Sequence, residues 1–233
     1  MKIKKAMLFA AGLGERMRPL TNGHPKPLLP LGDRPIIDYS LFYLKRFGVE
    51  EVMINIFYHG EKIEQHCGSG EKYGLKLHYS QETELLGTGG GLKKVESFFK
   101  EEDAFFTLNS DTLVNCDLQE LALFHEEQKA PATLVVAPWQ EGYTRLQVAN
   151  HRFLNVGEGD FLFTGLTVLT PIIFNELELK RSNLITDGVM HLMQKANSIA
   201  AFVHEGYWRD IGTKESYQKA QEEWAATHHN RLA

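Results

Sequence analysis

Short apolar runs alternate along the chain with longer segments in which apolar residues recur at the helical period. The apolar runs predict strands at residues 6–10, 51–57, 75–80, 104–109, 133–137, 161–169 and 198–203. The periodic segments predict helices at residues 35–47, 61–67, 89–99, 118–128, 171–177, 185–195 and 214–226. Alternation of buried strands with helices is typical of an α/β fold with a mostly parallel central sheet.

The pattern changes from about residue 133 onward. Residues 145–148 and 152–156 flank an Ala-Asn-His turn and predict a hairpin, so the later part of the sheet should be more antiparallel. We therefore predict a single domain over residues 1–233, built from two lobes that share one sheet. The lobes cover about residues 1–115 and about residues 116–233.

The composition argues against two classes of binding partner, nucleic acids and membranes. The net charge of −5 and the pI of about 6.1 argue against binding to nucleic acid. No run of ~18 apolar residues exists, so no membrane-spanning helix is expected. Cys67 and Cys116 form no C-x-x-C pair, which is typical of reduced thiols in a cytoplasmic protein.

The first glycine motif follows the first predicted strand and runs from Ala11 to Arg16. Small residues after a strand let backbone N–H groups converge on an anion, so this segment is a phosphate-binding loop or a tight structural turn. Met17 occupies the position where a dinucleotide fingerprint requires glycine, and the second strand offers Asn55 rather than an acid for ribose. A nicotinamide dehydrogenase is therefore disfavoured.

Lys26 stands between two prolines, Pro25 and Pro27. Proline restricts its own backbone and that of the preceding residue, so this lysine loses little freedom when it contacts a ligand. The alternative is a surface lysine in a proline-rich loop.

A second glycine run, LGTGGG, occupies residues 86–91 before a predicted helix. Successive glycines permit close approach by a flat ring or a sugar, and the helix N-terminus adds positive potential. The alternative is a flexible helix entry.

Two aspartates follow apolar strands, Asp111 in NSD and Asp210 in WRDIGT. Ligands collect at the carboxyl ends of strands in open α/β sheets, and carboxylates with substrate phosphates are the ligands that Mg²⁺ prefers. The alternative for each is a turn or helix-cap role. Together with the glycine loops and the lysine, these aspartates indicate nucleoside triphosphate chemistry with a divalent metal.

The segment FAAGLGERMRPLTNGHPKPLLPL, followed in order by LGTGGG, NSD and WRDIGT, resembles the sugar-1-phosphate nucleotidyltransferase family. The resemblance covers nearly the whole chain. It implies a Rossmann-like, glycosyltransferase-A-like three-layer α/β/α sandwich with a mixed, mostly parallel central sheet. The implied reaction converts an NTP and a sugar 1-phosphate into an NDP-sugar and pyrophosphate.

The resemblance also implies roles for residues. Arg16 and Lys26 would be catalytic, Asp111 and Asp210 would bind Mg²⁺, and Gly142 and Gly165 would lie near the sugar. Nucleotide contacts are expected from the following residues, with Glu82 accepting hydrogen bonds from the base: Ala11, Gly12, Gly14, Glu15, Arg16, Lys26, Glu82, Gly87, Thr88 and Asn109.

Within the family, the short chain and the triple glycine are most similar to uridylyltransferases that use UTP and N-acetylmuramate α-1-phosphate in cell-wall recycling. Alternatives are guanylyltransferases for mannose or heptose 1-phosphate, uridylyl- or thymidylyltransferases for glucose 1-phosphate, and phosphocholine cytidylyltransferases. A non-catalytic regulatory subunit that binds a nucleotide sugar is an alternative from another class. The expected partners are small molecules, and the expected state is a monomer or a small homo-oligomer.

Overall fold

The predicted apolar runs form strands in the structure, a computed structural model that describes residues 1–195 and 198–226. All seven predicted strands and the predicted hairpin are present, with ends within two residues of the predicted ones. Four further strands of two or three residues lie outside the predicted runs, at residues 30–31, 34–35, 112–114 and 208–210. The strands are β1 Lys5–Phe9, β2 Pro30–Leu31, β3 Arg34–Pro35, β4 Glu51–Ile56, β5 Lys76–Gln81, β6 Phe105–Asn109, β7 Thr112–Val114, β8 Ala132–Pro138, β9 Leu146–Ala149, β10 Arg152–Val156, β11 Phe161–Leu169, β12 Ala200–Val203 and β13 Trp208–Asp210.

The helices differ from the prediction in three places. The predicted helix 89–99 is divided at Val95 into two helices, and the predicted helix 185–195 begins as a π-helical turn, Leu184–Val189, before a short α-helix. The segment predicted as helix 171–177 is a 3₁₀ turn, Pro171–Asn175. The helices are α1 Ile36–Arg46, α2 Gly60–Cys67, α3 Gly87–Lys94, α4 Glu96–Phe99, α5 Leu118–Gln128, α6 Met190–Gln194 and α7 Lys214–Ala226.

Nine of the described strands form one mixed sheet in the order β5-β4-β1-β6-β11-β8-β12-β10-β9. Strands β5, β4, β1 and β6 are parallel, β11 runs antiparallel to both β6 and β8, and β12 is parallel to β8. Helices α1, α2 and α5 pack on one face, and α3, α4 and α6 pack on the other. The three-layer α/β/α sandwich is therefore confirmed.

The carboxyl ends of β1 and β6 lie side by side, because Phe9 is paired with Asn109. A separate two-stranded ladder, β7 with β13, brings residues after β6 next to residues near the C-terminal helix. This edge of the sheet therefore collects segments that are about a hundred residues apart in the chain. None of the described helices combines the length and apolar character needed to cross a membrane.

His125 is buried between α5 and the sheet, where its Nδ1 lies 2.7 Å from Thr133 Oγ1. Burial lowers the pKa of His125 to about 4. The imidazole of an unfolded chain has a pKa of about 6.5, so the unfolded state binds a proton in the window from about pH 6.5 to about pH 4 while folded His125 stays neutral. The free energy of unfolding should therefore fall as the pH falls through this window, by about 2 kcal/mol from this residue at about pH 5.

Urea unfolding of the wild type and of His125→Gln at about pH 7 and about pH 5 measures this effect. Glutamine keeps a hydrogen-bonding group but does not titrate, so its loss of stability between the two pH values should be smaller by about that amount. Equal losses in the two proteins would show that His125 does not contribute.

Candidate functional site

The first glycine loop leaves β1 and turns sharply at Gly14, whose φ is 65°. Thr21 closes the loop, since its Oγ1 donates to the Gly14 carbonyl at 2.8 Å. A Cβ placed on Gly12 would meet no atom within 4 Å, so the backbone there faces open space. Met17, by contrast, is fully buried in a small apolar core, which explains why a glycine is not found there. The loop therefore presents accessible backbone beside an anchored turn.

Lys26 opens a 3₁₀ turn, Lys26–Leu28, with Pro25 at its N-cap and the buried Pro27 next in the chain. Its ammonium group forms an ion pair with Asp111, and each of the two side chains is 14% exposed. The lysine also lies against the first glycine loop, since a Cβ on Gly14 would be 3.4 Å from Lys26 Cβ. The proline-bracketed lysine is thus directed into the site and not to the outer surface.

The ladder of β7 and β13 brings the two predicted metal aspartates together. Asp210 is paired with Thr112, and the N–H of Ile211 donates to the Asp111 carbonyl at 2.8 Å. Burial, and then the charge of Asp111, raise the pKa of Asp210 to about 6, while Lys26 and Arg16 act in the opposite direction. The two carboxylates, Asp111 and Asp210, therefore interact electrostatically with each other and with the cations Lys26 and Arg16.

Gly212 explains how Arg16 reaches this region. A Cβ on Gly212 would lie 2.7 Å from Asp210 Oδ2 and 2.9 Å from Arg16 Nη2, so both charged groups flank this glycine. The glycine of WRDIGT therefore makes room for an arginine from the first loop beside an aspartate of β13.

Asn109 and Gly165 are also brought together. Gly165 lies where the register of β11 with β8 shifts, and its φ is 88°. A Cβ there would be 2.8 Å from Asn109 Nδ2 and 2.9 Å from Thr112 Oγ1. Gly142 is exposed, and a Cβ on it would meet no atom within 4 Å.

Tyr143 is a neighbour that sequence reasoning missed. Its ring packs edge-on against Trp208 with centroids 5.1 Å apart. Burial, and then the charge of Asp210, raise the pKa of Tyr143. The same hydroxyl lowers the pKa of Asp210 by hydrogen bonding. The only signal in the sequence was its position directly after Gly142.

The Cβ side of the second glycine run packs against another segment of the protein, while Gly87 and Thr88 themselves are half-buried and stay predicted nucleotide contacts. A Cβ on Gly87 would lie 2.4 Å from the Ser182 carbonyl oxygen, and one on Gly90 would lie 2.1 Å from the Lys180 carbonyl oxygen. Gly89 N–H donates to the Ser182 carbonyl at 2.9 Å, and Thr88 Oγ1 accepts from Leu184 N–H at 2.9 Å. These glycines seat the segment 180–184.

Glu82, the predicted base contact, lies inside the protein at the end of β5. Its side chain is almost fully buried at 1% exposure. One carboxyl oxygen accepts from Asn55 Nδ2 at 2.7 Å and the other from the Leu86 N–H at 2.9 Å. Both oxygens are therefore engaged with protein donors. The polar Asn55 inside an apolar strand was the one signal of this arrangement in the sequence.

Replacement of Gly90 by alanine should destabilise the fold because the new methyl group would overlap backbone of the 180–184 segment. We expect a loss of about 1–3 kcal/mol in the free energy of unfolding, despite alanine's higher helix propensity. Gly89→Ala is the matched comparison. The nearest atom to its new Cβ is Ser182 Oγ, which can rotate away, so the loss should be smaller. Urea unfolding of both variants measures the difference, and an inverted order would contradict this packing.

The acidic pair fits a divalent cation. Among the described residues, no three or more His, Cys, Asp or Glu side chains cluster as metal ligands would. Mg²⁺ is commonly bound through one or two carboxylates, with substrate phosphates and water completing its octahedron. Asp111 and Asp210 supply that donor set beside the loop that is accessible to phosphates.

Comparison with known proteins gives a consistent picture. A family model described as nucleotidyl transferase matches residues 5–144. Mannose-1-phosphate guanyltransferase from Yarrowia lipolytica is 32% identical over 226 residues, and mannose-1-phosphate guanyltransferase 2 from Candida glabrata is 31% identical over 227 residues. Each alignment covers 91% of this chain and 62% of the relative, so the chain spans less than two thirds of their length.

A similar fold occurs in HddC from Yersinia pseudotuberculosis, which was solved in complex with GMP-PN. The TM-score is 0.81, the sequence identity is 22%, and the alignment covers 95% of this chain and 100% of that one. At this identity the likeness shows a shared fold.

Proposed function

The chain belongs to the nucleotidyl transferase family, and from this premise we propose that it converts an NTP and a sugar 1-phosphate into an NDP-sugar and pyrophosphate. The convergence of Lys26, Arg16, Asp111 and Asp210 beside the accessible glycine loop carries the proposal. In this proposal the two cations and the two acids, which would bind a metal ion, lie beside the loop where phosphates would enter.

The reaction has no need of a general base on the protein. The second pKa of a phosphate monoester is about 6, so the sugar phosphate is already mostly dianionic near neutral pH. One of its oxygens forms a bond to the α-phosphorus of the NTP, and the bond from that phosphorus to the pyrophosphate oxygen breaks. The obstacle is repulsion between two anions, which positioned cations offset.

Different residues of this chain would stabilise different phosphate groups of the substrates. Backbone N–H groups of the Gly12–Gly14 loop and the Arg16 guanidinium would bind the β- and γ-phosphates, which leave as pyrophosphate. Lys26 would contact the α-phosphate and the incoming sugar phosphate. Asp111 and Asp210 would hold Mg²⁺, which when bound supplies charge neutralisation at the α-phosphate.

For the substrates, we propose GTP with mannose 1-phosphate or a related hexose or heptose 1-phosphate as the first candidate. The curated relatives at 31% and 32% identity are named for this chemistry, and the structural neighbour HddC was solved with GMP-PN. The pair UTP and N-acetylmuramate α-1-phosphate is the second candidate, from the resemblance of the sequence.

We also assign a different substrate to each of the two lobes of the chain. Residues 1–115 contain the glycine loops and Lys26 and would bind the nucleotide. Residues 116–233 would bind the sugar phosphate, with Gly165, Gly142 and the adjacent Tyr143 facing the sugar.

A substrate matrix tests the proposal. The protein is incubated with Mg²⁺, each of GTP, UTP, CTP and dTTP, and each of mannose 1-phosphate, N-acetylmuramate α-1-phosphate and glucose 1-phosphate, and pyrophosphate release is measured. The expected result is the highest kcat/KM for GTP with mannose 1-phosphate. A preference for UTP with N-acetylmuramate α-1-phosphate would support the second candidate. Nucleotide binding without pyrophosphate release from any pair would favour a non-catalytic subunit.

A further inference from the structure

The loop that follows β1 is held by two side chains at the start of α2. The hydroxyl of Tyr58 accepts from the Gly23 N–H and donates to the Thr21 carbonyl, each at 3.3 Å. The Lys62 ammonium group donates to the Gly23 carbonyl at 2.5 Å. Two side chains that are four positions apart in the sequence therefore bind the same short segment, residues 21–23.

The 21–23 segment is joined in turn to the glycine turn of the loop. Thr21 is 1% exposed, and its Oγ1 donates to the Gly14 carbonyl at 2.8 Å. The Gly14 carbonyl also accepts from the Met17 N–H at 3.0 Å, so one oxygen closes the turn from two sides. Direct hydrogen bonds thus connect Tyr58, through Thr21, to the Gly14 turn.

The Gly14 turn lies at the candidate site. A Cβ on Gly14 would be 3.4 Å from Lys26 Cβ, and the backbone at Gly12 faces open space. Arg16, two residues after the turn, places its Nη2 beside Gly212, which also borders the Asp210 carboxylate. A displacement of the turn would therefore move both the accessible backbone and the arginine.

The backbone between Tyr58 and Lys62 is unusual. His59, the N-cap of α2, has a φ of 50°, in the left-handed region that residues other than glycine rarely adopt. Its ring packs edge-on against the ring of Tyr58 with centroids 4.4 Å apart. Such a conformation persists where the surrounding structure holds it, as the contacts of Tyr58 and Lys62 with the loop do here.

We propose that Tyr58 and Lys62 are positioning residues, which fix the Gly14 turn where the β- and γ-phosphates of an NTP bind. They act through the 21–23 segment that they hold, and neither contacts the nucleotide. A loop that is already held in place loses less freedom when it binds a ligand, so these bonds should contribute to affinity. This inference rests on the proposed function only in placing the triphosphate on this loop.

Two conservative substitutions test the proposal independently. Tyr58→Phe removes the hydroxyl and both of its bonds, and it keeps the ring that packs against His59. Lys62→Met removes the donor to Gly23 and keeps an unbranched side chain.

Each substitution has a matched control elsewhere in the chain. Tyr79→Phe removes a hydroxyl that donates to the Gly68 carbonyl at 2.7 Å, after α2 and not at the loop. Lys2→Met removes an ammonium group from a side chain that is 70% exposed.

The first measurement is hydrogen exchange of the Met17 amide, followed by NMR on protein without nucleotide. This amide bonds to Gly14 and to neither substituted side chain, so its exchange rate reports opening of the turn. We expect exchange about 3- to 10-fold faster in Tyr58→Phe and in Lys62→Met, and within about 2-fold of wild type in the controls. An unchanged exchange rate in both variants would overturn the positioning role, even if nucleotide affinity fell, because that combination indicates direct contact with the ligand.

The second measurement compares the Kd of a triphosphate with that of its monophosphate by titration calorimetry, using Mg-GTP with GMP and Mg-UTP with UMP. We expect each variant to raise the Kd of the preferred triphosphate about 3- to 10-fold. The Kd of the monophosphate should stay within about 2-fold of wild type, because it has no β- or γ-phosphate. Faster exchange with a wild-type triphosphate Kd, or equal losses for both nucleotides, would indicate a structural role alone and would also overturn the proposal.

The two proposals can fail separately. Wild-type protein that binds a triphosphate but releases no pyrophosphate, with the expected exchange and Kd changes in the variants, contradicts the proposed function and keeps the inference. Wild-type protein that releases pyrophosphate, with no effect of Tyr58→Phe or Lys62→Met on the triphosphate Kd, does the reverse.

Discussion

Replacement of Asp111 by asparagine should reduce kcat more than about 1,000-fold, the largest effect expected from any single substitution in this chain. Asparagine keeps the shape of the side chain and leaves the backbone bond between Ile211 and the Asp111 carbonyl in place. It removes one of the two negative charges that would hold the cation, and it removes the partner of Lys26. The site would then lose both its affinity for Mg²⁺ and the alignment of its lysine.

The measurement for Asp111→Asn is pyrophosphate release at saturating nucleotide, sugar phosphate and Mg²⁺. Asp117→Asn is the matched control because Asp117 caps α5 through bonds from the Gln119 and Glu120 N–H groups, and asparagine caps helices equally well. The control should retain wild-type kcat. An Asp111→Asn protein with wild-type kcat would exclude this carboxylate from the cation site.

Local patterns predict the sheet and most helices of this chain because each element is long enough to bury an apolar face on its own. The nine-residue run Phe161–Leu169 and the helix Leu118–Gln128 were predicted with their observed bounds. The β7–β13 ladder could not be read from the sequence, since each strand has three residues and the central partners, Leu113 and Arg209, are 96 positions apart. Sequence reasoning therefore located Asp111 and Asp210 separately, while their juxtaposition depends on tertiary structure.

For the glycine motifs too, the sequence predicts the local feature, while the neighbours of each glycine depend on tertiary structure. A glycine indicates that something approaches the backbone closely, but it does not identify what approaches. At Gly12 the space is open, whereas at Gly87 and Gly90 backbone of the 180–184 segment fills it. The partners of Glu82 could not be predicted for the same reason, because the donors that engage its oxygens come from a different strand and from a helix cap.

Opposing charges at the site explain why the lysine should matter nearly as much as the aspartate. Asp111 and Asp210 repel each other, which contributes to the raised pKa of Asp210, and Lys26 and Arg16 offset part of that repulsion. When two phosphate groups enter, the balance of charge becomes strongly negative. A lysine fixed between prolines can follow the developing charge at the α-phosphate with little cost in conformational freedom.

Replacement of Lys26 by methionine should therefore lower kcat about 100- to 1,000-fold, the effect of removing one preorganised donor from a transition state. Methionine keeps the unbranched side chain between Pro25 and Pro27, so the loss reports the charge and not the packing. The effect should appear mainly in kcat, because the lysine is proposed to bind the α-phosphate most strongly when its charge rises. Steady-state kinetics of pyrophosphate release measures it, with Lys2→Met, whose side chain is 70% exposed, as the matched control. A Lys26→Met protein with wild-type kcat would show that the ion pair of Lys26 with Asp111 is a structural contact, and the cation that offsets repulsion would then have to be Arg16 alone.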